Sequence, residues 1–315
     1  MRLGRATRAR RRTDAGSTMK RQTPLTGLLL GMFAAVVMLL AMDGCATPPR
    51  VPGTAAASAG PLKPVWVTRW DYPTADDVRT TMRNCERLGA TDVMWQVRGQ
   101  GDAYYQSDLE PWGQELFRGA EEPETLVSIG PGYDPLALAV DEAHRRGLRL
   151  HAWMNAMPLW KGTQPPLALS HPWHTHETWR LRDAAGKAQP LGEGYVIANP
   201  ALHEVRAHIA RVAADITRRY NVDGVHLDYI RYVSDSMKAD EQYLTDRRTL
   251  TLFKADTGRD GLSTPADRGA HREWIREQIT DVVRRVGKAV KGERGDVAFT
   301  AAVWRRPDIA RETYL

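Results

Sequence analysis

Asp228 closes the run Asp223–Asp228 (DGVHLD), in which apolar and polar residues alternate as on a strand, so a carboxylate stands at that strand's C-terminal end. Alternation sorts the neighbours: Gly224, His226 and Asp228 share one face, and Val225, Leu227 and Tyr229 the other. The same sorting in Arg149–Met157 puts His151, Trp153 and Asn155 on one face, against Leu150, Ala152 and Met154. In Thr91–Gly99 it groups Met94 and Gln96 with Arg98, the last side chain of the run, and Asp71 lies just past a first apolar run. Carboxylates among tryptophans suit sugars, because ring faces stack on the C–H faces of pyranoses. Acetal cleavage needs two carboxyl groups flanking the bond, one as acid and one as nucleophile or base.

Each residue has a plainer reading. Asp228 is the catalytic choice; its plain role is an ion pair with a nearby arginine. Arg98 and Arg231 are the cations that would hold a carboxylate charged. His226 either orients Asp228, contacts substrate or is a hydrogen-bonded interior histidine. Asp71 and Asp102 serve a sugar hydroxyl or cap a turn, and Trp153 and Asn155 line the same face. Asp223, before Gly224, reads as fixing the start of its strand, and Glu110 reads as readily as surface as site. The loop His171–Trp179 (HPWHTHETW) carries three histidines, yet no HExxH spacing accompanies them, and the loop reads as sugar-lining rather than metal-binding. No phosphate-binding loop, Gly-x-Ser-x-Gly elbow or paired-cysteine motif is present. The site residues imply no cofactor and no metal.

The elements that must position these residues alternate. Strands are predicted over Val65–Trp70, Thr91–Gly99, Arg149–Met157, Val222–Tyr232 and Val297–Trp304. Helices are predicted from Thr74 as N-cap to Gly89, from Asp134 to Gly147, from near Pro200 to Asn221, and over Glu273–Gly292. Short helix-to-strand connections and long strand-to-helix loops place elaboration at one end, as in a (β/α)8 TIM barrel, whose sites lie at the C-terminal ends of its strands. The stretch after the first strand, RWDYPTADD, lacks the glycines that a doubly wound nucleotide fold requires there. The expected fold class is therefore α/β, a partial TIM barrel with about five of eight strands, incomplete at its C-terminal side.

The charge distribution excludes one class of partner. The first 44 residues hold eight lysines and arginines against two acids, which is the whole of the formal net charge of +6. The remainder is balanced, so no basic face for nucleic acid is implied. That segment also reads as an export signal: Lys20-Arg21, an apolar run Leu25–Met42, then Gly44-Cys45. Residues 1–18 read as an upstream extension, 19–44 as the signal, 45–63 as a flexible tether rich in Ala and Pro, and 64–315 as the barrel domain. Cys45 resembles the lipidated cysteine of bacterial lipoproteins, although Met42 and Asp43 depart from that pattern. A membrane-spanning anchor and simple secretion are the alternatives, and all three put the domain outside the cytoplasm. Cys85, in a helical pattern, reads as a buried thiol.

Two resemblances sharpen the expectation. Asp223–Asp228 resembles the fourth-strand motif of the alpha-amylase families, whose last Asp is the nucleophile; His226 stands where those families have Arg. More broadly, the chain resembles glycosyl hydrolase-like family 10, exported bacterial barrels linked to cleavage of peptidoglycan glycan. The blocks Val65–Trp70, Gln96–Trp112, Tyr133–Asn155, Asn199–Ile209 and Asn221–Tyr232 carry it and, with Trp274–Arg276, span nearly all of residues 64–315. Val233 departs from the proline usual after this strand. With the lipoprotein-type signal and the two-carboxylate chemistry read from the residues, the resemblance implies a lipid-anchored envelope glycosidase acting on a polysaccharide. The alternative is an envelope lipoprotein that binds glycan without cutting it.

Overall fold

The computed structural model describes residues 62–232, 243–306 and 308. The apolar run Leu25–Met42, Cys45, nearly all of the tether and Val233 lie outside the described residues. Among the described residues no helix is long and apolar enough to cross a membrane.

Five parallel strands form one sheet in the order β1-β2-β3-β6-β7. They are β1 (Pro64–Val67), β2 (Asp92–Arg98), β3 (Arg149–Asn155), β6 (Gly224–Asp228) and β7 (Ala298–Ala301). The intervening β4 (Pro158–Gly162) and β5 (Gly192–Ile197) make a separate antiparallel pair within the connection from β3 to β6. The helices are α1 (Ala75–Arg87), α2 (Pro123–Ile129), α3 (Pro135–Arg145), α4 (Pro172–Thr175), α5 (His203–Arg219), α6 (Arg247–Thr257) and α7 (Pro265–Glu293). Among the described residues the result is an α/β fold, a partial TIM barrel whose parallel sheet has five strands.

Local sequence accounts for the helix starts. Thr74 caps α1 in a reciprocal box with Asp77, and Thr264 does the same for α7 with Asp267, followed by Pro265 in the first turn. Asp134 accepts from the backbone N–H groups of Leu136 and Ala137 at the start of α3. Gly89 and Gly147 follow α1 and α3 in the left-handed conformation that a side chain disfavours. The outward strand residues Val225, Leu227, Leu150, Ala152 and Met154 are buried in the core, as alternation requires. Cys85 is buried and unpaired in α1.

The sheet curls. Two strands separate β1 from β6, yet the Trp66 ring meets the His226 ring edge-on at 5.9 Å. Strands of a flat sheet lie about 4.8 Å apart, so side chains three strands apart would not touch. Curvature brings them together on the concave side, as barrel formation demands.

Three boundaries differ from expectation for identifiable reasons. The first strand stops at Val67 because Thr68 turns the chain; its N–H and hydroxyl both donate to Asp71 Oδ2, at 2.8 and 2.7 Å. The fourth parallel strand stops at Asp228 because Tyr229 takes φ +49. Tyr229 therefore leaves the outer face assigned to it and is half-buried beside Tyr195 and Arg231. The last helix starts at Pro265, eight residues before Glu273, because the Thr264 cap and Pro265 lie upstream of the apolar pattern.

Candidate active site

The C-terminal ends of β2, β3 and β6 stand side by side. Asn155 is the register partner of Asp228, and Trp153 that of His226 and of Gln96. Asp228 presents a partly exposed carboxylate at this edge. Its Oδ1 accepts from the Tyr229 backbone N–H at 2.6 Å and from Arg231 Nη1 at 3.1 Å. Arg231 is one of the two cations that the sequence offers for this carboxylate, and the structure pairs them.

Aromatic rings pack about Arg231, the partner of this carboxylate, and about Tyr229, the residue after it. Tyr229 packs against Tyr195 of β5 with centroids 5.0 Å apart. The Arg231 guanidinium lies 4.6 Å from the centre of the Tyr229 ring and 5.7 Å from that of Trp304. Lys161 of β4 reaches the Tyr195 ring at 5.5 Å. Trp70 and Trp304, just past β1 and β7, are about half exposed. Lys161 and Tyr195 escape sequence reading, since PLWKG and GEGYVI carry Pro and Gly and no apolar–polar alternation. Trp70 and Trp304 are legible as strand-end aromatics, although the pattern assigns them to the strands themselves.

Among the described residues, the interior floor holds polar atoms with no protein partner. His226 Nδ1 pairs with Thr300 Oγ1 at 2.9 Å, while its Nε2 has no partner. Burial holds the His226 imidazole below the usual histidine range, against the pull of Asp228. Trp153 Nε1 and Asn155 Oδ1 are likewise buried and unpartnered, although Asn155 Nδ2 donates to Gly99 O at 3.0 Å. Such atoms at a strand end are suited to ligand hydroxyls.

Other predicted residues are engaged within the protein. Asp71 caps the Thr68 turn, as described above. Asp102 is wholly buried; its Oδ1 accepts from the N–H groups of Gly99 and Gln100 at 3.0 and 2.8 Å. Burial and the neighbouring Glu115 push the Asp102 carboxyl up to about 6, against Arg69. Asp223 ties the start of β6 to its neighbours: Oδ2 accepts from Leu150 N at 2.8 Å and meets His144 Nε2 at 2.9 Å. Arg98 is paired not with Asp228 but with Glu110, which proves wholly buried and meets His208 Nε2 at 2.9 Å. In the sequence Glu110 is legible only as an acid in a loop, because its partner His208 lies 98 residues away.

The three histidines of the loop after β4 are spent locally. His171 Nδ1 accepts from Trp173 N at 3.0 Å and its Nε2 meets Gln100 O at 3.1 Å. His174 Nε2 meets Pro166 O, and His176 Nδ1 meets Thr175 Oγ1, both at 2.8 Å. Among the described residues no three His, Cys, Asp or Glu side chains gather as metal ligands would.

The curled parallel sheet, with a partly exposed carboxylate at a strand end, has the architecture of a partial barrel. The chain belongs to the glycosyl hydrolase-like 10 family, whose profile matches residues 61–311. It is 26% identical to the glycosyl hydrolase DigH of Escherichia coli over 84% of this chain and 61% of that protein. It is 24% identical to the glycosyl hydrolase YngK of Bacillus subtilis over 89% of this chain and 50% of that protein. The chain thus spans about half to three fifths of the length of these relatives. Among solved structures, the PgaB (BpsB) glycoside hydrolase domain from Bordetella bronchiseptica has a TM-score of 0.54 at 11% identity, covering 81% of this chain and 69% of that one. The alpha-L-fucosidase isoenzyme 2 from Paenibacillus thiaminolyticus has a TM-score of 0.52 at 13% identity, covering 80% and 34%. At these identities the likeness is one of fold.

Proposed function

We propose that the protein is a lipid-anchored glycosidase of the bacterial envelope that cleaves peptidoglycan glycan strands, with Asp228 as nucleophile or base. The observation that carries the proposal is the placement of Asp228: a carboxylate at a strand's C-terminal end, partly open to solvent and fixed by one backbone N–H and one arginine. Fixing matters because a carboxylate held in one orientation presents its free oxygen without reorganising. Tyr229, Tyr195 and Trp304 would supply ring faces near Arg231, the partner of this carboxylate, and the unpartnered atoms of His226, Trp153 and Asn155 would supply hydrogen bonds for sugar hydroxyls. Family membership supports glycosidic chemistry. The basic flank, apolar run and Gly44-Cys45 of the N-terminal segment support export with Cys45 as the lipidated residue. Peptidoglycan is the polysaccharide that such a protein meets first, and the resemblance noted in the sequence points the same way.

In the reaction Asp228 would attack the anomeric carbon, or draw a proton from water, while a second carboxyl protonates the leaving oxygen. The test is incubation of the intact protein with peptide-stripped glycan strands. New reducing ends that accumulate with time support the proposal. Saturable binding with no new reducing ends would instead establish the glycan-binding alternative.

A further inference from the structure

Arg98 has little left to offer a substrate. It is the last residue of β2 and is buried. Its Nε donates to Glu110 Oε2 at 2.8 Å and its Nη2 to Oε1 at 2.7 Å, the two-pronged geometry of a strong arginine–carboxylate pair. Its Nη1 donates to the carbonyl oxygens of Asn155 and Ala156. Those two peptide units continue toward the site. The N–H of Ala156, in the same peptide as the Asn155 carbonyl, donates to Asp228 O at 2.8 Å. The N–H of Met157, in the same peptide as the Ala156 carbonyl, donates to Tyr229 O at 3.3 Å.

A cation on the carbonyl end of a peptide polarises it and strengthens the bond made by its N–H. One guanidinium thus grips two peptides whose far ends hold the backbone of Asp228 and Tyr229. The backbone held there is strained: Tyr229 has φ +49, and its N–H donates to the Asp228 carboxylate. A non-glycine residue in this region is strained and persists only where its surroundings impose it.

Arg98 is itself held in place. Glu110 takes His208 Nε2 of α5 on Oε1, and the Trp179 ring packs on His208 with centroids 5.0 Å apart. Ser107 Oγ accepts from Glu110 N at 3.2 Å. Burial alone would raise the Glu110 carboxyl, but the Arg98 charge and the His208 hydrogen bond hold it down to about 2.

We infer that His208, Glu110 and Arg98 form a positioning relay that aims the Asp228 carboxylate through the peptides of Asn155–Met157. This inference rests on the reading of Asp228 as the reacting carboxylate. None of the three residues touches substrate in this account, and all act through the backbone of β3 and β6.

The test compares the intact protein with Glu110→Gln, His208→Leu and His208→Gln. Two readouts are taken: the backbone amide resonance of Tyr229, and kcat and KM on peptide-stripped glycan. In Glu110→Gln and His208→Leu the Tyr229 resonance should shift and kcat should fall, by up to about 10²-fold for a displacement near 1 Å, with KM little changed. His208→Gln keeps a donor toward Glu110 and should restore both. Should Glu110→Gln fail to fold, His208→Leu, which leaves the ion pair intact, carries the test. Folded variants with an unmoved Tyr229 resonance and native kcat overturn the relay. So does a rise in KM at constant kcat, which would place these residues on the substrate. The resonance reads geometry independently of catalysis. If it moves while Asp228→Asn retains full cleavage, the relay stands and the role given to Asp228 falls.

Discussion

Gly224→Ala should destabilise the protein through one neighbour. Gly224 opens β6, and a Cβ there would lie 2.7 Å from Cε1 and 2.8 Å from Cγ of His151, and closer still to Nδ1. The ring cannot simply turn aside, because its Nε2 is paired with Asp92 Oδ1 at 2.9 Å, a carboxylate also held by Arg149. Overpacking of a filled interior costs about 1–3 kcal/mol. Loss of a buried hydrogen bond to a charged group adds about 1.5–3 kcal/mol. Lower chain entropy in the unfolded state returns about 0.4–1 kcal/mol. The net loss is about 2–5 kcal/mol, and for a domain of this size it lowers the melting temperature by roughly 5–15 °C. Thermal melts followed by circular dichroism measure it. The same substitution in a His151→Ala background should cost less than about 1 kcal/mol, since the clashing ring is gone. A Gly224→Ala protein that melts within about 2 °C of the parent, or an equal cost in both backgrounds, would refute the reasoning.

Three further outcomes are expected. Burial pushes the His171 imidazole down to about 3, so it stays neutral in the fold while the unfolded chain takes up a proton below about pH 6.5. Stability is therefore lost as pH falls below 6.5, by about 2 kcal/mol at pH 5, and His171→Gln should narrow the gap between melting temperatures near pH 7.5 and pH 5. Burial, then Glu115, raise the Asp102 carboxyl to about 6, so its contribution is lost as pH rises through that value. Asp102→Asn keeps an oxygen for the Gly99 and Gln100 N–H groups, and its melting temperature relative to the parent should be higher near pH 7.5 than near pH 4.5. Cys45→Ser should move the protein from the membrane fraction to the soluble envelope fraction; unchanged membrane retention would favour the apolar run as the anchor.

The sheet was legible because its five parallel strands carry buried outer faces that force alternation, as in Leu150, Ala152 and Met154. Thr74, Asp134, Gly89 and Gly147 marked helix ends by side-chain chemistry that acts locally. The antiparallel pair of β4 and β5 is not legible: PLWKG and GEGYVI do not alternate, and the pairing of Pro158–Gly162 with residues 192–197 is a long-range event. The same physics divided the site. Asp228, His226, Trp153 and Asn155 lie on neighbouring strands in the register that alternation implies, because position along a strand fixes the direction of a side chain. The pairing of Glu110 with His208 is not legible, because they lie 98 residues apart, and that of Arg98 with Glu110, 12 residues on, depends on how the intervening loop folds back. Tyr229 escaped for a third reason, since a positive φ at a tyrosine reverses the face that alternation assigns.

The most direct measurement is the rate at which reducing ends appear from peptide-stripped glycan strands, for the native protein and for Asp228→Asn. The two proteins are matched for circular dichroism and for glycan binding. The native protein should cleave, and the Asn variant should lose on the order of 10³-fold or more in rate with binding retained. An Asn variant that cleaves at the native rate contradicts it.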